Sequence, residues 1–250
     1  MRIAEGIALL EISVPVMGGI DVIHPTLLWD AETAILVDTG YPGILPKLRE
    51  AFELEGVPYN RLSKIIITHQ DMDHIGSLPA ILSESSHPIE VLANAIEKPY
   101  IEGDNMLLKI TPETIDQAVA SLPSHVSPDW RAAFRKTLEN PPKSPVDRIV
   151  EDGEELPEAG GIVIINTPGH TPGHISLYHR PSKTLIAADA LVVKEGQLFG
   201  PTPEYAIEYE KALTSVKVFA QFDIETVICY HGGLFTNHAN RRIAEIVSTI

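Results

Sequence analysis

The sequence contains a single cysteine, Cys229, so no disulfide can form within the chain and no zinc site can be built from several thiolates. Cys229 lies in an apolar segment, residues 226–230, that is typical of a buried strand, and we predict that it is a small core residue. No stretch approaches the ~18 consecutive apolar residues of a membrane span. Glu5 and Glu11 interrupt the N-terminal segment, which therefore lacks the apolar region of a signal peptide. We expect a cytoplasmic protein.

Basic residues are also scarce. The chain has 19 Lys and Arg against 34 Asp and Glu, which gives a formal net charge of −15. An acidic surface repels phosphate, so we expect no binding to nucleic acid or to an anionic membrane. The expected partner is a small-molecule substrate. A length of 250 residues with 44% hydrophobic residues suits one globular domain over 1–250. The sequence leaves open whether the protein is an oligomer.

Short strand-like runs and helical patterns alternate along the chain, which favours two sheets flanked by helices. Tyr41-Pro42-Gly43 predicts the start of a helix that ends near Gly56, and Thr202-Pro203-Glu204 predicts the start of another. A last helix is predicted near the C-terminus because apolar residues share one face there, namely Ile243, Ile246, Val247 and Ile250.

Residues 94–145 differ from the rest, and we predict that they form a helical insert that caps the sheet edges. Thr111-Pro112-Glu113 and Ser127-Pro128-Asp129 each combine an N-cap, a proline at the first helical position and an acid in the first turn. The apolar stripes that follow could serve core packing, line a substrate pocket or pair across a dimer. The loop 16–24 and the insert are expected to shape a pocket. His24 and Trp130 are candidate pocket residues, but a structural role is favoured for both.

The strongest chemical signal is the run Thr68-His69-Gln70-Asp71-Met72-Asp73-His74, which follows the apolar segment Lys64-Ile65-Ile66-Ile67. It places two imidazoles and two carboxylates within six residues. Burying these groups unpaired would be costly. Carboxylate oxygen and neutral imidazole nitrogen are ordinary ligands of divalent metal ions. The run therefore predicts part of a metal site, and the other ligands must come from elsewhere in the chain.

Further candidates follow other apolar runs. His170 follows a Pro-Gly turn after residues 162–165, Asp189 follows residues 184–188, and His231 follows residues 227–230. In an open α/β sheet, sites form at the carboxyl ends of strands, so these side chains are expected to meet. His174 begins the next strand, and we expect it to support the ligands or to pack rather than to bind metal.

The order of these motifs resembles that of the metallo-β-lactamase superfamily of binuclear metallohydrolases, in its glyoxalase II and lactonase-like branch. The matching motifs are Asp38-Thr39-Gly40, His69-x-Asp71-x-Asp73-His74, Pro168-Gly169-His170, Asp189 and His231. They span positions 35–233. The resemblance implies an α+β fold class, namely an αβ/βα four-layer sandwich with the metal ions at the sheet edges.

The resemblance also implies a role for each motif residue. It implies two divalent ions, zinc before manganese or iron, with Asp189 bridging them and Asp38 orienting the ligand imidazoles without binding metal. The first ion would be held by His69, Asp71 and His170. The second ion would be held by Asp73, His74 and His231.

Asp71 departs from the family pattern, which usually has histidine at this place. A carboxylate lowers the formal charge of the site by one, which weakens the activation of a bound water. Oxygen also shifts the preference toward manganese or iron. The alternative is that Asp71 points to solvent and the first site is weak or empty.

The leading hypothesis is a hydrolase in which a metal-bound hydroxide attacks a small ester, thioester or lactone. Asp73 would orient the nucleophile or accept its proton, in addition to or instead of binding metal. Two alternatives on the same fold are an iron-dependent oxidoreductase or oxygenase and a phosphodiesterase. A non-enzymatic binding protein is a third class.

Overall fold

The computed structural model describes residues 1–16 and 18–249 and shows two β-sheets packed face to face. The first sheet has the strand order β1-β2-β5-β6-β7-β8-β9. Its strands are β1 (Arg2–Ala4), β2 (Ile7–Leu9), β5 (Thr26–Trp29), β6 (Ala34–Val37), β7 (Leu62–Ile67), β8 (Glu90–Asn94) and β9 (Arg148–Val150). Strands β3 (Ile12–Val16) and β4 (Gly19–Ile23) form an antiparallel hairpin between β2 and β5 in the chain.

The second sheet has the strand order β10-β11-β12-β13-β16-β17. Its strands are β10 (Glu155–Leu156), β11 (Ile162–Asn166), β12 (Ile175–His179), β13 (Thr184–Ala188), β16 (Thr226–Cys229) and β17 (Gly233–Phe235). A separate hairpin joins β14 (Val192–Lys194) to β15 (Gln197–Phe199).

The helices connect these strands. Those before β9 are α1 (Leu45–Leu54), α2 (Met72–Ile75), α3 (Leu78–Glu84), α4 (Lys98–Ile101), α5 (Pro112–Ala120) and α6 (Pro128–Glu139). Those after it are α7 (Tyr209–Val216) and α8 (Ala239–Ser248). Within the described residues, no helix has the length and apolar character needed to cross a membrane.

Three apolar clusters account for the layers. Between the sheets, residues such as Ile35 and Ile66 of the first sheet pack with Ile164 and Ile186 of the second. The outer face of the first sheet packs against α1 and α3, and the outer face of the second packs against α7 and α8. The buried side chains of α1 recur on one face because a helix repeats every 3.6 residues. This α+β sandwich confirms the predicted fold class, and Cys229 is buried within it.

Strand direction determines where the site forms. Strands β6, β7 and β8 are parallel, as are β13 and β16. Strand β11 runs in the same direction as β13 because both are antiparallel to β12. The carboxyl ends of β7, β11, β13 and β16 therefore lie at one edge of the sandwich, where the predicted ligands follow them.

The segment between β8 and β9 contains the predicted helical pair. Helices α5 and α6 begin after Thr111 and Ser127, whose side chains cap them. The two helices pack against each other, and each contains a single buried residue, Ile115 or Leu138. Trp130 is half exposed and stacks on Phe134.

The predicted helix start at Thr202 is wrong, because α7 begins at Tyr209. The backbone amides of Ile207 and Glu208 donate to the carbonyl oxygens of His170 and Gly169. These hydrogen bonds to the loop that carries His170 keep residues 207 and 208 in a non-helical conformation, so the helix begins only at Tyr209. Helix α8 buries Ile243 and Ile246 as predicted, whereas Ile250 and Met17 of the predicted loop 16–24 lie outside the described residues.

Candidate metal centre

The predicted ligands converge at the shared edge of the two sheets. His69 and Asp71 follow β7, Asp73 and His74 lie in the adjoining helix α2, and the loop after β11 carries His170. Asp189 follows β13 directly, and His231 follows β16. Gly232 keeps this last turn close to its neighbour: its φ is +90°, and a Cβ there would lie 1.8 Å from the carbonyl oxygen of Val193. Only glycine fits this position.

The first group of ligands is His69, Asp71 and His170. Oδ2 of Asp71 lies 3.2 Å from Nε2 of His69 and 3.0 Å from Nε2 of His170. Asp71 therefore points into the centre, not to solvent as the alternative expectation had it. These three side chains and Asp189 each offer a ligand atom within 4.8 Å of the others.

The second group is Asp73, His74 and His231. Oδ2 of Asp73 lies 3.1 Å from Nε2 of His231 and 3.5 Å from Nε2 of His74. Their ligand atoms also lie within 4.8 Å of one another. Tyr230 packs its ring on His74 with the centroids 3.8 Å apart, and its hydroxyl donates to the backbone carbonyl of Asp73. This contact fixes helix α2, which carries Asp73 and His74.

Asp189 stands between the two groups. Its Oδ2 lies 3.2 Å from Nε2 of His170, 3.9 Å from that of His69, 3.5 Å from that of His74 and 3.7 Å from that of His231. A single carboxylate thus faces two imidazoles from each group. The resemblance implies this bridging place for Asp189.

Unpartnered polar atoms test whether the centre fits metal ions. Among the described residues, Nε2 of His69, Nε2 of His74 and Oδ1 of Asp189 are buried without a hydrogen-bond partner. Buried polar atoms are nearly always paired, because leaving one unpaired costs about 1–3 kcal/mol. Imidazole nitrogens and carboxylate oxygens that converge in this way are suitable ligands for divalent ions. The residues fit the metal that the motif order implies.

Asp38 lies behind the ligands and holds His74. Its Oδ2 accepts a hydrogen bond from Nδ1 of His74 at 2.8 Å, and its carboxylate also accepts from the amide and hydroxyl of Thr68. The Thr68 hydroxyl in turn lies 3.0 Å from Nδ1 of His69. Asp38 has a φ of 63°, a strained backbone conformation for a non-glycine residue that clusters at functional sites.

His174 also lies behind the ligands. Its Nε2 accepts a hydrogen bond from the backbone amide of Asp189 at 3.2 Å, and its Nδ1 lies 2.8 Å from the hydroxyl of Thr167. Burial, together with the charges of His69 and His170, holds its pKa well below the usual range. His174 is therefore a neutral ring that holds the backbone of Asp189 in place.

The acidic and basic groups of the centre shift each other's pKa. Burial opposes ionisation of Asp189, but the imidazoles of His231 and His74 hold its pKa well below the usual range. Burial likewise opposes protonation of His231, but Asp189 and Asp73 raise its pKa to about 9. The pKa of His74 is raised in the same way by Asp38 and Asp73 against the effect of burial. The carboxylates raise the pKa of His231 and His74, which shows that the centre is strongly negative. Such a centre also favours the binding of a metal cation.

Glu97 connects the two loops that carry the first group, and sequence reasoning missed it. Its fully buried carboxylate accepts from the amide and the side-chain Nε2 of Gln70, from the hydroxyl of Thr171 and from the amide of Gly173, at 2.7–3.0 Å. Gln70 precedes Asp71, and Thr171 follows His170. One carboxylate thereby fixes the distance between these two ligands.

Replacing Glu97 is expected to be costly. Glu97→Ala leaves four buried donors without their acceptor, and we expect it to lower the free energy of unfolding by about 3 kcal/mol or more. The measurement is urea unfolding followed by circular dichroism. Glu90→Ala is the control, because Glu90 pairs with Lys64 at the surface and such pairs contribute at most about 1 kcal/mol. Equal losses in the two variants would contradict this role of Glu97.

Lys109 is a second residue that sequence reasoning missed. Its Nζ lies 2.6 Å from Oδ2 of Asp71 and 2.8 Å from Nε2 of His170. The amide of Leu108 donates to Oε1 of Gln70 at 2.7 Å, and the hydroxyl of Thr114 donates to the carbonyl of Lys109 at 2.9 Å. The segment 94–145 therefore contributes a cation to the edge of the first group. No motif in the sequence marks this lysine.

A cavity of about 500 Å³ opens onto the centre. Asp71, Asp73, His170, Asp189 and His231 form its floor, and its walls include Asp21, Tyr41, Lys109, Lys194, Leu191 and Tyr205. Among the described residues, neither His24 nor Trp130 lines it, which agrees with the structural role that the sequence favours for both. His24 is instead buried, with Nδ1 bonded to the carbonyl of Tyr230. Asp21, which lines the cavity, belongs to strand β4, so the predicted loop 16–24 is wrong for residues 19–23, which pair with β3 in a hairpin.

Comparisons with known proteins agree with this geometry. The family model described as "Metallo-beta-lactamase superfamily" matches residues 18–231. A "Probable metallo-hydrolase YflN" of Bacillus subtilis is 28% identical over 223 residues, which cover 81% of this chain and 76% of that protein. A "Hydroxyacylglutathione hydrolase GloC" of Haemophilus influenzae is 24% identical over 222 residues, covering 87% of this chain and 89% of that protein.

Solved structures show the same fold. The metallo-β-lactamase family protein TTHA1429 of Thermus thermophilus superposes with a TM-score of 0.69 at 22% identity, covering 99% of this chain and 80% of that one. The archaeal superfamily protein ST1585 of Sulfolobus tokodaii superposes with a TM-score of 0.63 at 19% identity, covering 98% of this chain and 86% of that one. At these identities the likeness concerns the fold alone.

Proposed function

The chain belongs to the metallo-β-lactamase superfamily, and from this premise we propose that it is a hydrolase that uses two divalent metal ions to cleave a small ester, thioester or lactone. The observation that carries the proposal is the position of Asp189. Its Oδ2 faces imidazoles of two ligand groups, at the floor of a cavity large enough for a small molecule.

His69, Asp71 and His170 would hold the first ion, Asp73, His74 and His231 the second, and Asp189 both. When bound, two such ions supply an acidified water and polarise the substrate oxygen. The unpaired nitrogens of His69 and His74 give both groups a buried anchor. Asp38 and His174 keep His74 and Asp189 in place from behind.

Asp73 is the residue placed to handle a proton. It lines the floor of the cavity, and although burial opposes ionisation, His74 and His231 keep its pKa below the usual value. An ionised carboxylate at this place can orient a water molecule and accept its proton. Tyr41 lines the same cavity and donates to Asp21. Burial and the charge of Asp73 raise the pKa of Tyr41, so its phenol stays protonated as a hydrogen-bond donor.

The cavity and the net charge of the chain favour a small-molecule substrate whose reacting group is uncharged. A volume of about 500 Å³ falls in the range of small-molecule sites, and Leu191, Val192, Pro201 and Ala206 make part of the wall apolar. The relative named as a hydroxyacylglutathione hydrolase supports a thioester among the candidates. The net charge of −15 makes nucleic acid an unfavourable partner. Zinc is the ion we propose, with manganese or iron as the ions that Asp71 would favour.

A hydrolysis screen tests the proposal. We expect the protein loaded with zinc or manganese to hydrolyse p-nitrophenyl acetate, a simple thioester or a γ-lactone faster than bis-p-nitrophenyl phosphate. We expect His69→Ala to lower the metal content and to lower the hydrolysis rate by about 100-fold or more. The screen is read by absorbance, with metal content measured by elemental analysis. A protein purified with stoichiometric iron and oxygen-dependent turnover would instead favour the iron-dependent oxidoreductase.

A further inference from the structure

The two ligand groups are chemically identical. His69, Asp71 and His170 supply two imidazoles and one carboxylate, and so do Asp73, His74 and His231, while Asp189 faces both groups. This equality arises because Asp71, like Asp73 in the other group, supplies a carboxylate. Any difference in affinity between the two sites must therefore come from their surroundings.

The surroundings of the first group oppose a metal ion. Nζ of Lys109 lies 2.8 Å from Nε2 of His170, the atom that faces Asp71 and Asp189. A neutral imidazole has one lone pair, so an Nε2 that accepts a hydrogen bond from the ammonium cannot bind an ion at the same time. The same ammonium neutralises Asp71 at 2.6 Å. An ion entering this site must displace Lys109 from His170 and also meets a fixed positive charge.

The surroundings of the second group favour a metal ion. Among the described residues, no lysine or arginine lies within 4.0 Å of the Asp73 carboxylate, which is approached only by His74 and His231. Asp38 accepts a hydrogen bond from Nδ1 of His74, which makes the opposite nitrogen a better ligand. In the first group the corresponding partner of His69 is the neutral Thr68 hydroxyl.

We propose that Lys109 competes with the metal ion for His170, so that the second site fills first and the first site binds its ion more weakly. The inference rests on the proposed two-metal centre and concerns the affinities of its two halves. Lys109 would act on the metal ion only through its contacts with Asp71 and His170. Its loop is fixed through Leu108 and Thr114, which keeps the ammonium at the site.

The test is a titration of the metal-free protein with Zn²⁺ against a chromophoric chelator. We expect two steps in the wild-type protein that differ by about tenfold or more in Kd, with Lys109→Met tightening the weaker step by a similar factor and leaving the tighter step unchanged. Lys109→Gln also removes the charge and serves if the methionine variant does not fold. Lys194→Met is the matched control, because Lys194 lines the same cavity and pairs with no carboxylate within 4.0 Å among the described residues.

Two ligand variants assign the steps to the sites. His231→Ala should remove the tighter step and His170→Ala the weaker one. The inference is overturned if Lys109→Met leaves the titration unchanged, if the wild-type protein binds two ions with equal affinity, or if His170→Ala removes the tighter step. Binding of fewer than two ions by the wild-type protein would instead contradict the two-metal centre itself, so the two failures can be told apart.

Discussion

Asp189→Ala is expected to lower kcat/KM by about 10³-fold or more and to remove at least one of the two proposed metal ions. The reason is the position of its carboxylate, which lies 3.2–3.9 Å from imidazole nitrogens of both groups. No other carboxylate among the described residues approaches imidazoles of both groups. The measurements are initial rates on the best substrate of the screen and elemental analysis after dialysis.

The fold of this variant is expected to survive. The contact of residue 189 with His174 is made by its backbone amide, which alanine retains. Asp104→Ala is the matched control, because Asp104 is exposed and lies outside both ligand groups. Equal melting temperatures of the metal-free proteins would show that any loss of activity comes from the centre. An Asp189→Ala protein that keeps two ions and full activity would contradict the bridging role.

Much of this centre could be predicted because its residues follow strong local signals. Asp189 comes directly after five buried residues, Thr184–Ala188, and a carboxylate at the end of such a strand needs a cation partner. His170 follows a Pro-Gly turn in the same way. Parallel strands then bring their carboxyl ends to one edge whatever the length of the connections between them. The geometry thus follows from short apolar runs and the residues after them.

Glu97 and Lys109 could not be predicted because their roles depend on contacts between distant segments. Glu97 stands beside Ile96 and Lys98 in a sequence that is typical of an exposed turn, yet its partners are Gln70 and Thr171. Neither periodicity nor turn chemistry carries information on such a contact. The helix predicted at Thr202 failed for a similar reason, since a pairing with the ligand loop overrides a good local capping pattern.

Removal of the metal ions with a chelator is expected to abolish hydrolysis and to lower the melting temperature by about 10 °C or more at neutral pH. A ligand present at 1,000 times its Kd stabilises the folded state by about 4 kcal/mol, and 1 kcal/mol corresponds to roughly 2–4 °C in a chain of this size. Without ions, the centre also retains unpaired buried atoms of His69, His74 and Asp189. Scanning calorimetry of the loaded and chelated proteins measures the difference.

The difference in stability should grow as the pH rises from about 6.5 to about 9. In the metal-free protein, burial lowers the pKa of His231, but Asp189 and Asp73 raise it further, from the ordinary 6.5 to about 9. A group whose pKa is raised by folding stabilises the protein fully below its unfolded value, and this contribution is lost as the pH passes the folded value. The metal-free protein therefore loses stability in this range. The loaded protein does not, because its His231 has already released the proton to bind metal.

Two histidine variants connect this pH dependence to the centre. His231→Ala should remove the contribution of His231 and leave that of His74, whose pKa is also raised, whereas His125→Ala should change nothing, because His125 is exposed on the segment between α5 and α6. A stability difference that stays constant from pH 6.5 to pH 9 in the wild-type protein would contradict the placement of His231 beside Asp73 and Asp189. The same carboxylates that hold a proton on His231 would then have to be neutralised by some other group, and Lys109, which lines the same cavity, is already paired with Asp71.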